Sequence, residues 1–256
     1  MQDIIESYNV DEAFMYEKTY LFIKGFAVGR HLNNTLRMLP IARNMHNGQY
    51  RKGIVIINGE ERQLPYVLHV LKVCSTLISL DLPMSDQELD ILLTIALGHD
   101  LIEDGKFYND GAELMTTYGF PEIVYKTIKL LSKRSGASEE ELNIYFNEIK
   151  KNKYALLVKM SDRSHNVEDL YNMKVEKLHK YVDETRRWIY PLSSYAKANY
   201  PELSNGVTVL KAKIMSLTEA TEAIVEMYDE KLAEKDCEIN DLKTKLAALE
   251  SQSEKA

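Results

Sequence analysis

Four side chains that bind metals or transfer protons lie within six residues of the sequence: His99, Asp100, Glu103 and Asp104. On a helix, with about 100° per residue, His99 and Glu103 lie about 40° apart, and so do Asp100 and Asp104, so all four fall within an arc of about 140°. Three carboxylates this close would repel each other unless a cation lay among them. The cluster therefore predicts a divalent metal ion, with leftover carboxylates available for proton transfer.

This cluster follows an apolar run, Leu89 to Leu97, which leaves no polar face and would be buried if it is helical. Ser85 and Glu88 have the spacing of a capping box, so we expect the helix to begin there. A histidine–aspartate pair by itself is more often only hydrogen-bonded, so a metal site needs ligands from elsewhere in the chain. The sequence predicts that this helix delivers the cluster to the interior, where its charges must be paired.

Two further predicted helices each carry one residue of the same kind. His69 lies in a helix predicted over 66–80, and Asp162 lies in a helix predicted over 153–172. Both residues have apolar neighbours, so we expect both to face the core. Together the three helices offer two imidazoles and two carboxylates, a set that suits Mn²⁺ or Fe²⁺. The predicted ligands are His69, His99, Asp100 and Asp162.

The rest of the chain predicts an all-α protein with one short β-hairpin. Residues 53–64 indicate the hairpin, because β-branched residues lead into Asn58-Gly59, a strong two-residue turn signal. Asn205-Gly206 is expected to break the chain before the last helix. We divide the chain into a helical N-terminal extension (1–35), the main helical domain (36–208), a long helix or coiled coil (209–249) and a disordered tail (250–256).

Residues 209–249 are rich in Glu, Lys and Ala and contain no Gly or Pro. Apolar residues recur there in one heptad frame, with Lys235 as the exception, and this pattern is typical of a long helix or a short coiled coil. A homodimer through this helix is one arrangement that such a frame allows. The frame consists of Val225, Tyr228, Leu232, Ile239, Leu242, Leu246 and Leu249.

The composition narrows the partners and the compartment. The chain has 256 residues, a net charge of −7 and a pI near 5.5, and nucleic-acid binding needs a basic surface instead. No stretch reaches about 18 apolar residues, and the acidic first ten residues lack the basic start of a signal peptide. Cys74 in an apolar run and Cys237 in a charged run do not suggest a disulfide, so we expect a reducing, cytoplasmic compartment without membrane contact.

The order of the metal-binding motifs resembles the HD superfamily of metal-dependent phosphohydrolases. Four blocks narrow the resemblance to the RelA/SpoT-type alarmone hydrolase domain, over roughly residues 36–205. The segment between Arg51-Lys52 and Pro65 is longer than the short link usual in this family. The blocks are Ala42-Arg-Asn-Met-His46 with Gly48-Gln49, Arg51-Lys52, Pro65-Tyr66 and His69; His99-Asp-Leu-Ile-Glu-Asp104; Lys159-Met-Ser-Asp162-Arg-Ser-His165-Asn166; and Ile189-Tyr190-Pro191-Leu192.

This resemblance implies an HD-domain helical bundle that uses Mn²⁺ to hydrolyse the 3′-pyrophosphate of guanosine tetra- or pentaphosphate (ppGpp or pppGpp), giving GDP or GTP and pyrophosphate. The four predicted ligands would hold the metal. Glu103 and Asp104 would orient and deprotonate the attacking water. Arg51 and Lys52, in the loop before the hairpin, would meet the phosphates, and Asn166 would contact the nucleotide.

Bifunctional members of that family carry a synthetase domain after the hydrolase domain. The 51 residues after Asn205 are too few for one, so we expect the small, hydrolase-only type. Three alternatives stay open: a different nucleotide substrate such as NADPH or a substituted alarmone, a non-catalytic scaffold with a structural metal that assembles through its last helix, and an antitoxin that counters an alarmone synthetase. Spare carboxylates argue against the scaffold, because a structural metal site does not need them.

Overall fold

The computed structural model describes residues 10–57, 59–103, 107, 110–132, 136–172 and 175–253. They form a helical bundle with one two-stranded sheet and a long last helix, which confirms the predicted all-α class. Short 3₁₀ turns at Val167–Asn172 and Pro201–Leu203 and a π turn at Thr185–Ile189 connect helices. The helices are α1 (Val10–Gly29), α2 (Asn33–Met45), α3 (Tyr66–Ser79), α4 (Asp86–Gly98), α5 (Glu113–Thr116), α6 (Glu122–Leu131), α7 (Glu139–Lys151), α8 (Lys153–Asn166), α9 (Val175–Glu184), α10 (Tyr190–Asn199) and α11 (Ser204–Ser253).

Helix α4 lies at the centre of the bundle. Its residues from Leu89 to Gly98 are all buried except Ile91, as the apolar sequence predicted. Helices α2, α3, α6 and α8 all pack against it. The capping box of Ser85 and Glu88 is present at its first turn and confirms the predicted start.

A buried carboxylate on α4 fixes the start of α2. Helix α2 has no side-chain cap of its own, so its first amide groups need acceptors from elsewhere. Asp90 provides them: its Oδ2 accepts from the backbone N of Asn34 at 3.0 Å, and its Oδ1 accepts from the backbone N and the hydroxyl of Thr35 at 2.7 and 2.8 Å. The negative charge also complements the positive end of the helix dipole.

Helices α4 and α8 run in the same direction and have nearly equal lengths of 13 and 14 residues. At their first turns, Lys153 donates to Glu88, and at their far ends His99 and Asp162 approach each other. The start of α8 is capped by Asn152, whose Oδ1 accepts from the backbone N of residues 154 and 155 at 3.0 and 3.1 Å. The two helices therefore deliver their last residues to one place.

The hairpin consists of β1 (Tyr50–Ile57) and β2 (Glu60–Pro65), paired antiparallel with Ile57 opposite Glu60. It is longer than the predicted 53–64 segment, and Asn58 of the predicted turn lies outside the described residues. Gly59 has φ +83°, the left-handed conformation that such a turn needs. Arg51 and Lys52 were expected in a loop, but they lie in β1, because the strand begins at Tyr50.

The predicted break at Asn205-Gly206 is wrong, because α11 runs through it. Gly206 has a packing role instead: a Cβ atom there would lie 2.5 Å from Leu82 Cδ2, so any other residue would require the Leu82 side chain to shift. The helix also continues to Ser253, into the segment 250–256 that was expected to be disordered, and 254–256 lie outside the described residues. The other domain boundaries stay predictions. Among the helices described here, none combines the length and hydropathy needed to cross a membrane.

The contact between Glu88 and Lys153 gives a pH-dependent prediction. The Lys153 ammonium, together with the hydroxyl and amide of Ser85, lowers the pKa of Glu88 to about 2. The contact therefore stabilises the fold fully above pH 4.5, the ordinary pKa of a glutamate side chain, and this stabilisation is lost as the pH falls toward 2. Because the Glu88 side chain is 37% exposed, solvent screening limits the cost of Glu88→Gln to about 0.5–1 kcal/mol at pH 7.

Urea unfolding of the wild type and Glu88→Gln at pH 7 and pH 3 tests this prediction. The difference in unfolding free energy should shrink at pH 3. The control is Glu122→Gln, which removes an exposed pair with Lys126 within a single helix and should have a smaller effect at both pH values. An equal difference at both pH values for Glu88→Gln would show that its charge does not join α4 to α8.

Candidate metal centre

The end of α4 presents His99 in the orientation that a metal ligand needs. The ring is buried, and its Nδ1 lies 2.8 Å from the carbonyl oxygen of Ala96 in the preceding turn. A carbonyl can only accept, so Nδ1 carries a proton, and Nε2 is the ring nitrogen left to bind a metal ion in place of its own proton. Nε2 is buried and lies 3.2 Å from Asp100 Oδ2, without the geometry of a hydrogen bond. A buried nitrogen in this position is stabilised when a cation binds between it and the carboxylate.

The first turn of α3 presents His69, which is also buried. Its Nδ1 lies 2.8 Å from Nδ1 of His165 on α8, so one of the two rings donates and the other accepts. The tautomer in which His69 donates leaves its Nε2 with a lone pair toward Asp162. His165 thus supports His69 as a backbone carbonyl supports His99, an arrangement typical of metal-binding histidines.

Asp162 contributes a carboxylate from the last turns of α8. Its Oδ2 accepts from Lys159 Nζ at 3.0 Å, and its Oδ1 accepts from Asn166 Nδ2 at 2.6 Å. Oδ1 also lies 3.2 Å from His69 Nε2 and 3.9 Å from His99 Nε2. Both oxygens are therefore held in place, with Oδ1 facing the two imidazoles.

These side chains converge on one point. Ligand atoms of His69, His99 and Asp162 lie within 4.8 Å of one another, and all three residues are buried. Asp100 approaches the same point, because its Oδ2 lies 3.2 Å from His99 Nε2 and 3.6 Å from His69 Nε2. Ligands at about 2.0–2.2 Å from an ion lie roughly 3 Å apart when they are neighbours around it. Two imidazoles and the Asp162 carboxylate at these separations fit a first-row divalent cation, and Asp100, next to both imidazoles, is the candidate fourth ligand.

The electrostatics also favour a cation. Burial by itself lowers the pKa of His99, but the negative charges of Asp100 and Asp162 outweigh it and raise the pKa to about 9. Burial alone would raise the pKa of Asp100, and His99 reverses this and holds it well below its usual value. The pKa of Asp162 is likewise lowered, against the effect of burial, by Lys159 and His69. Two buried carboxylates thus stay ionised and attract positive charge to this point, and a divalent ion supplies more of it than a proton.

The structure describes only some of the other predicted site residues. Arg51 and Asn166 meet, with Arg51 Nη2 donating to Asn166 Oδ1 at 2.9 Å. Glu103 is exposed, in the turn that follows Asp100. Asp104 and the side chain of Lys52 lie outside the described residues.

Three residues that contact the centre were not assigned a role from the sequence. Tyr66 donates from its hydroxyl to Asp100 Oδ2 at 2.7 Å, and Lys159 and His165 make the contacts described above. Each lies three residues from a ligand on the same helix, Tyr66 from His69 and the other two from Asp162. This spacing places them on the ligand's face, although it does not say what each one contacts.

No family model matches the chain. Among curated proteins, it is similar to guanosine-3′,5′-bis(diphosphate) 3′-pyrophosphohydrolase of Haemophilus influenzae, with 29% identity over 157 residues. The match covers 60% of this chain and 21% of that protein, so the chain spans about a fifth of the length of its relative. The similarity supports a relationship to the RelA/SpoT-type hydrolases, in agreement with the resemblance of the motifs.

Replacing one ligand tests the centre. We expect the wild type to bind one equivalent of Mn²⁺, and His69→Asn to bind it at least about 100-fold more weakly. The reason is that losing a residue that only supports a ligand already costs about 10–100-fold. Isothermal titration calorimetry and metal content measure the effect, and circular dichroism checks the fold.

The matched control is His179→Asn. His179 is half-exposed and pairs with Asp229 at 2.9 Å, on α9 and α11 rather than at the centre. Its replacement should leave Mn²⁺ affinity unchanged. Unchanged binding in His69→Asn would mean that the ion, if bound, lies elsewhere.

Proposed function

We propose that this protein is a metal-dependent phosphohydrolase that removes the 3′-pyrophosphate of ppGpp or pppGpp, giving GDP or GTP and pyrophosphate. The observation that carries the proposal is the convergence of two imidazoles and two carboxylates beside the Arg51–Asn166 pair. The similarity to a protein named as a ppGpp 3′-pyrophosphohydrolase supports the choice of substrate.

His69, His99, Asp100 and Asp162 would hold the ion, with Mn²⁺ the metal that we propose and Fe²⁺ the next candidate. When bound, such an ion lowers the pKa of a water molecule and stabilises negative charge on a phosphate. The contacts of Tyr66, His165 and Lys159 keep the ligands oriented before the ion arrives. Holding the ligands in advance lets binding energy be used for the reaction rather than for ordering side chains.

Arg51 is the residue best placed to bind phosphate. It is joined to the centre by a chain of two hydrogen bonds, from Arg51 to Asn166 and from Asn166 to Asp162. Its charge is close enough to lower the pKa of both His69 and His165, although burial is the larger cause for each. A guanidinium binds phosphate oxygens through two parallel hydrogen bonds. Arg51 would therefore hold the pyrophosphate next to the centre, with Lys52 adding charge and Asn166 fixing the guanidinium or contacting the nucleotide.

A carboxylate must accept the proton of the attacking water. Glu103 and Asp104 follow the ligand Asp100 directly, and Glu103 is exposed and open to solvent. We assign orientation and deprotonation of the water to this pair. A positioned carboxylate contributes about 10²–10⁴-fold to such a reaction.

The hairpin favours one alternative, a different nucleotide as substrate, such as NADPH or a substituted alarmone. Arg51 lies on β1, and β1 packs against the 3₁₀ turn at Val167–Asn172 that follows Asn166. The two strands therefore border the place where the nucleotide would enter. Since the base would meet this element, its length and sequence decide which nucleotide fits.

Turnover of ppGpp tests the proposed reaction. Purified protein with Mn²⁺ should release pyrophosphate and GDP, and EDTA should abolish the release. Asp104→Ala should keep Mn²⁺ bound and lose turnover, because it removes the proton acceptor and no metal ligand. Anion-exchange chromatography follows the nucleotides, and calorimetry follows the metal. Hydrolysis of NADPH but not of ppGpp would favour the alternative, and loss of metal in Asp104→Ala would refute the division of roles.

Removing the guanidinium separates substrate binding from metal binding. Arg51→Gln should lower kcat/KM about 10–100-fold, since a hydrogen bond to a charged group contributes about 1.5–3 kcal/mol. Mn²⁺ affinity should not change. The control is Arg62→Gln, which removes another arginine of the same hairpin, one that pairs with Glu60. An equal loss in both variants would show that Arg51 acts only through the stability of the hairpin.

A further inference from the structure

The second half of α11 extends beyond the helical body. The first half packs through buried residues such as Val207, Leu210, Ile214 and Val225. From Glu226 to Leu246, by contrast, every residue is exposed, over a length of about 30 Å. A helix with no packed face is marginal in water even when its sequence favours helix. Nothing in the described part of the chain packs over the apolar side chains of this segment, so a partner helix would stabilise it.

The exposed segment carries a continuous apolar stripe. Its members are between 45% and 57% exposed, which is unusual for large apolar side chains that lie in line. With Lys235 counted at the one core position that is not apolar, their spacing alternates between three and four residues, so they occupy the a and d positions of a heptad. We call this stripe the seam, and it consists of Tyr228, Leu232, Ile239, Leu242 and Leu246.

The charges beside the seam complement a second copy of the same helix. In this frame Lys231 and Glu238 occupy g positions, and Asp236 and Lys243 occupy e positions. In a parallel, in-register pair, each g residue faces the e residue five positions later in the other helix. Lys231 then faces Asp236, and Glu238 faces Lys243, so both contacts join opposite charges.

An antiparallel arrangement keeps complementary charges only in a shifted register, in which Glu238 faces Lys245 and Asp236 faces Lys243 of the second copy. The e-exchanged variant described below leaves those contacts opposite in charge, so it separates that register from the parallel pair. In the antiparallel register centred near residue 237, g residues again face g residues, and Glu238 lies against its own copy. Like charges in that position are unfavourable and act against the wrong orientation. The outward b, c and f positions carry only acidic charges: Glu226, Glu230, Glu234 and Asp241. All the lysines of the segment thus lie in or beside the seam.

We propose that two copies of this chain associate through the seam as a parallel, in-register, two-stranded coiled coil. Lys235 is the one charged residue at a core position; its ammonium can leave a two-stranded seam and reach Asp236 of the second copy. One charged layer of this kind lowers stability but fixes register and strand number. The parallel orientation places both helical bodies, and both candidate metal centres, at the same end of the coiled coil.

Charge exchange at the flanks provides the first test. Sedimentation equilibrium of the full chain should show a dimer. The g-exchanged variant, Lys231→Glu with Glu238→Lys, creates like-charge contacts with Asp236 and Lys243, so its association should weaken by about tenfold or more. The e-exchanged variant, Asp236→Lys with Lys243→Glu, should weaken equally. An equimolar mixture of the two variants should form a heterodimer, because all four contacts are then opposite in charge again.

The control variant changes charges away from the seam. Glu230→Lys with Glu234→Lys alters exposed f and c positions and should leave the dimer intact. Circular dichroism confirms that all variants stay helical. A wild type that is monomeric up to roughly 100 µM overturns the proposal, since another protein must then cover the seam. A dimer that survives the g exchange also overturns it.

A cysteine at the seam tests the register directly. Cys237 is exposed and occupies an f position, on the side away from the second helix, so the wild type should form no disulfide-linked dimer under mild oxidation. Leu242→Cys places a thiol at a d position, where a parallel in-register pair brings the two copies of that residue together. It should form a linked dimer rapidly. Linkage through Cys237 alone, or none at residue 242, contradicts the proposed arrangement.

Discussion

Two carboxylates, the buried Asp162 and the partly buried Asp100, face each other's histidine partners at the ends of α4 and α8, and the surrounding side chains compensate for their charge. Asp100 and Asp162 come from different helices, and each lies within 4 Å of the same two imidazoles. Burial opposes their ionisation, yet the neighbouring His99 and Lys159 hold both pKa values low. Burying ionised carboxylates is unfavourable unless they bind a positively charged group. The arrangement of the four side chains suits a divalent cation.

The bundle is built to bring these groups together. Helix α4 is buried on nearly all sides, so its position is set by four packed neighbours rather than by solvent. Helix α8 runs beside it, joined at the start through Glu88 and Lys153 and at the end through the candidate ligands. Since both helices are capped, their lengths and directions are fixed, and their last turns meet at one place.

Substrate recognition and assembly use elements outside this rigid centre. The hairpin carries Arg51 to Asn166, across 115 residues of sequence, and so links the charge that we propose for phosphate binding to the candidate ligand Asp162. The far half of α11 extends away from the body and carries an apolar stripe. The charges beside this stripe are complementary to those that they would face on a second copy of the helix. The chemistry that we propose thus depends on the core, whereas the choice of nucleotide and of partner depends on exposed elements.

The amino-acid sequence by itself determined the local features. Apolar periodicity and capping boxes located α4 and its motif, and the heptad frame located the last helix, because these patterns depend on residues three to seven positions apart. The order of the motifs was also enough to pick out residues that converge at the candidate metal centre, and it indicated the relationship that the similar curated protein supports. The run of glutamate, lysine and alanine without glycine or proline over residues 209–249 specified the long last helix.

Only the tertiary structure showed which residues from distant parts of the sequence contact each other. The cap of α2 by Asp90, the support of His69 by His165 and the contact of Arg51 with Asn166 join segments far apart in sequence. Gly206 was expected to break a helix, but it lies within α11, where its missing side chain leaves room for Leu82. Such contacts depend on how whole helices pack against each other, and no local pattern in the sequence encodes that packing.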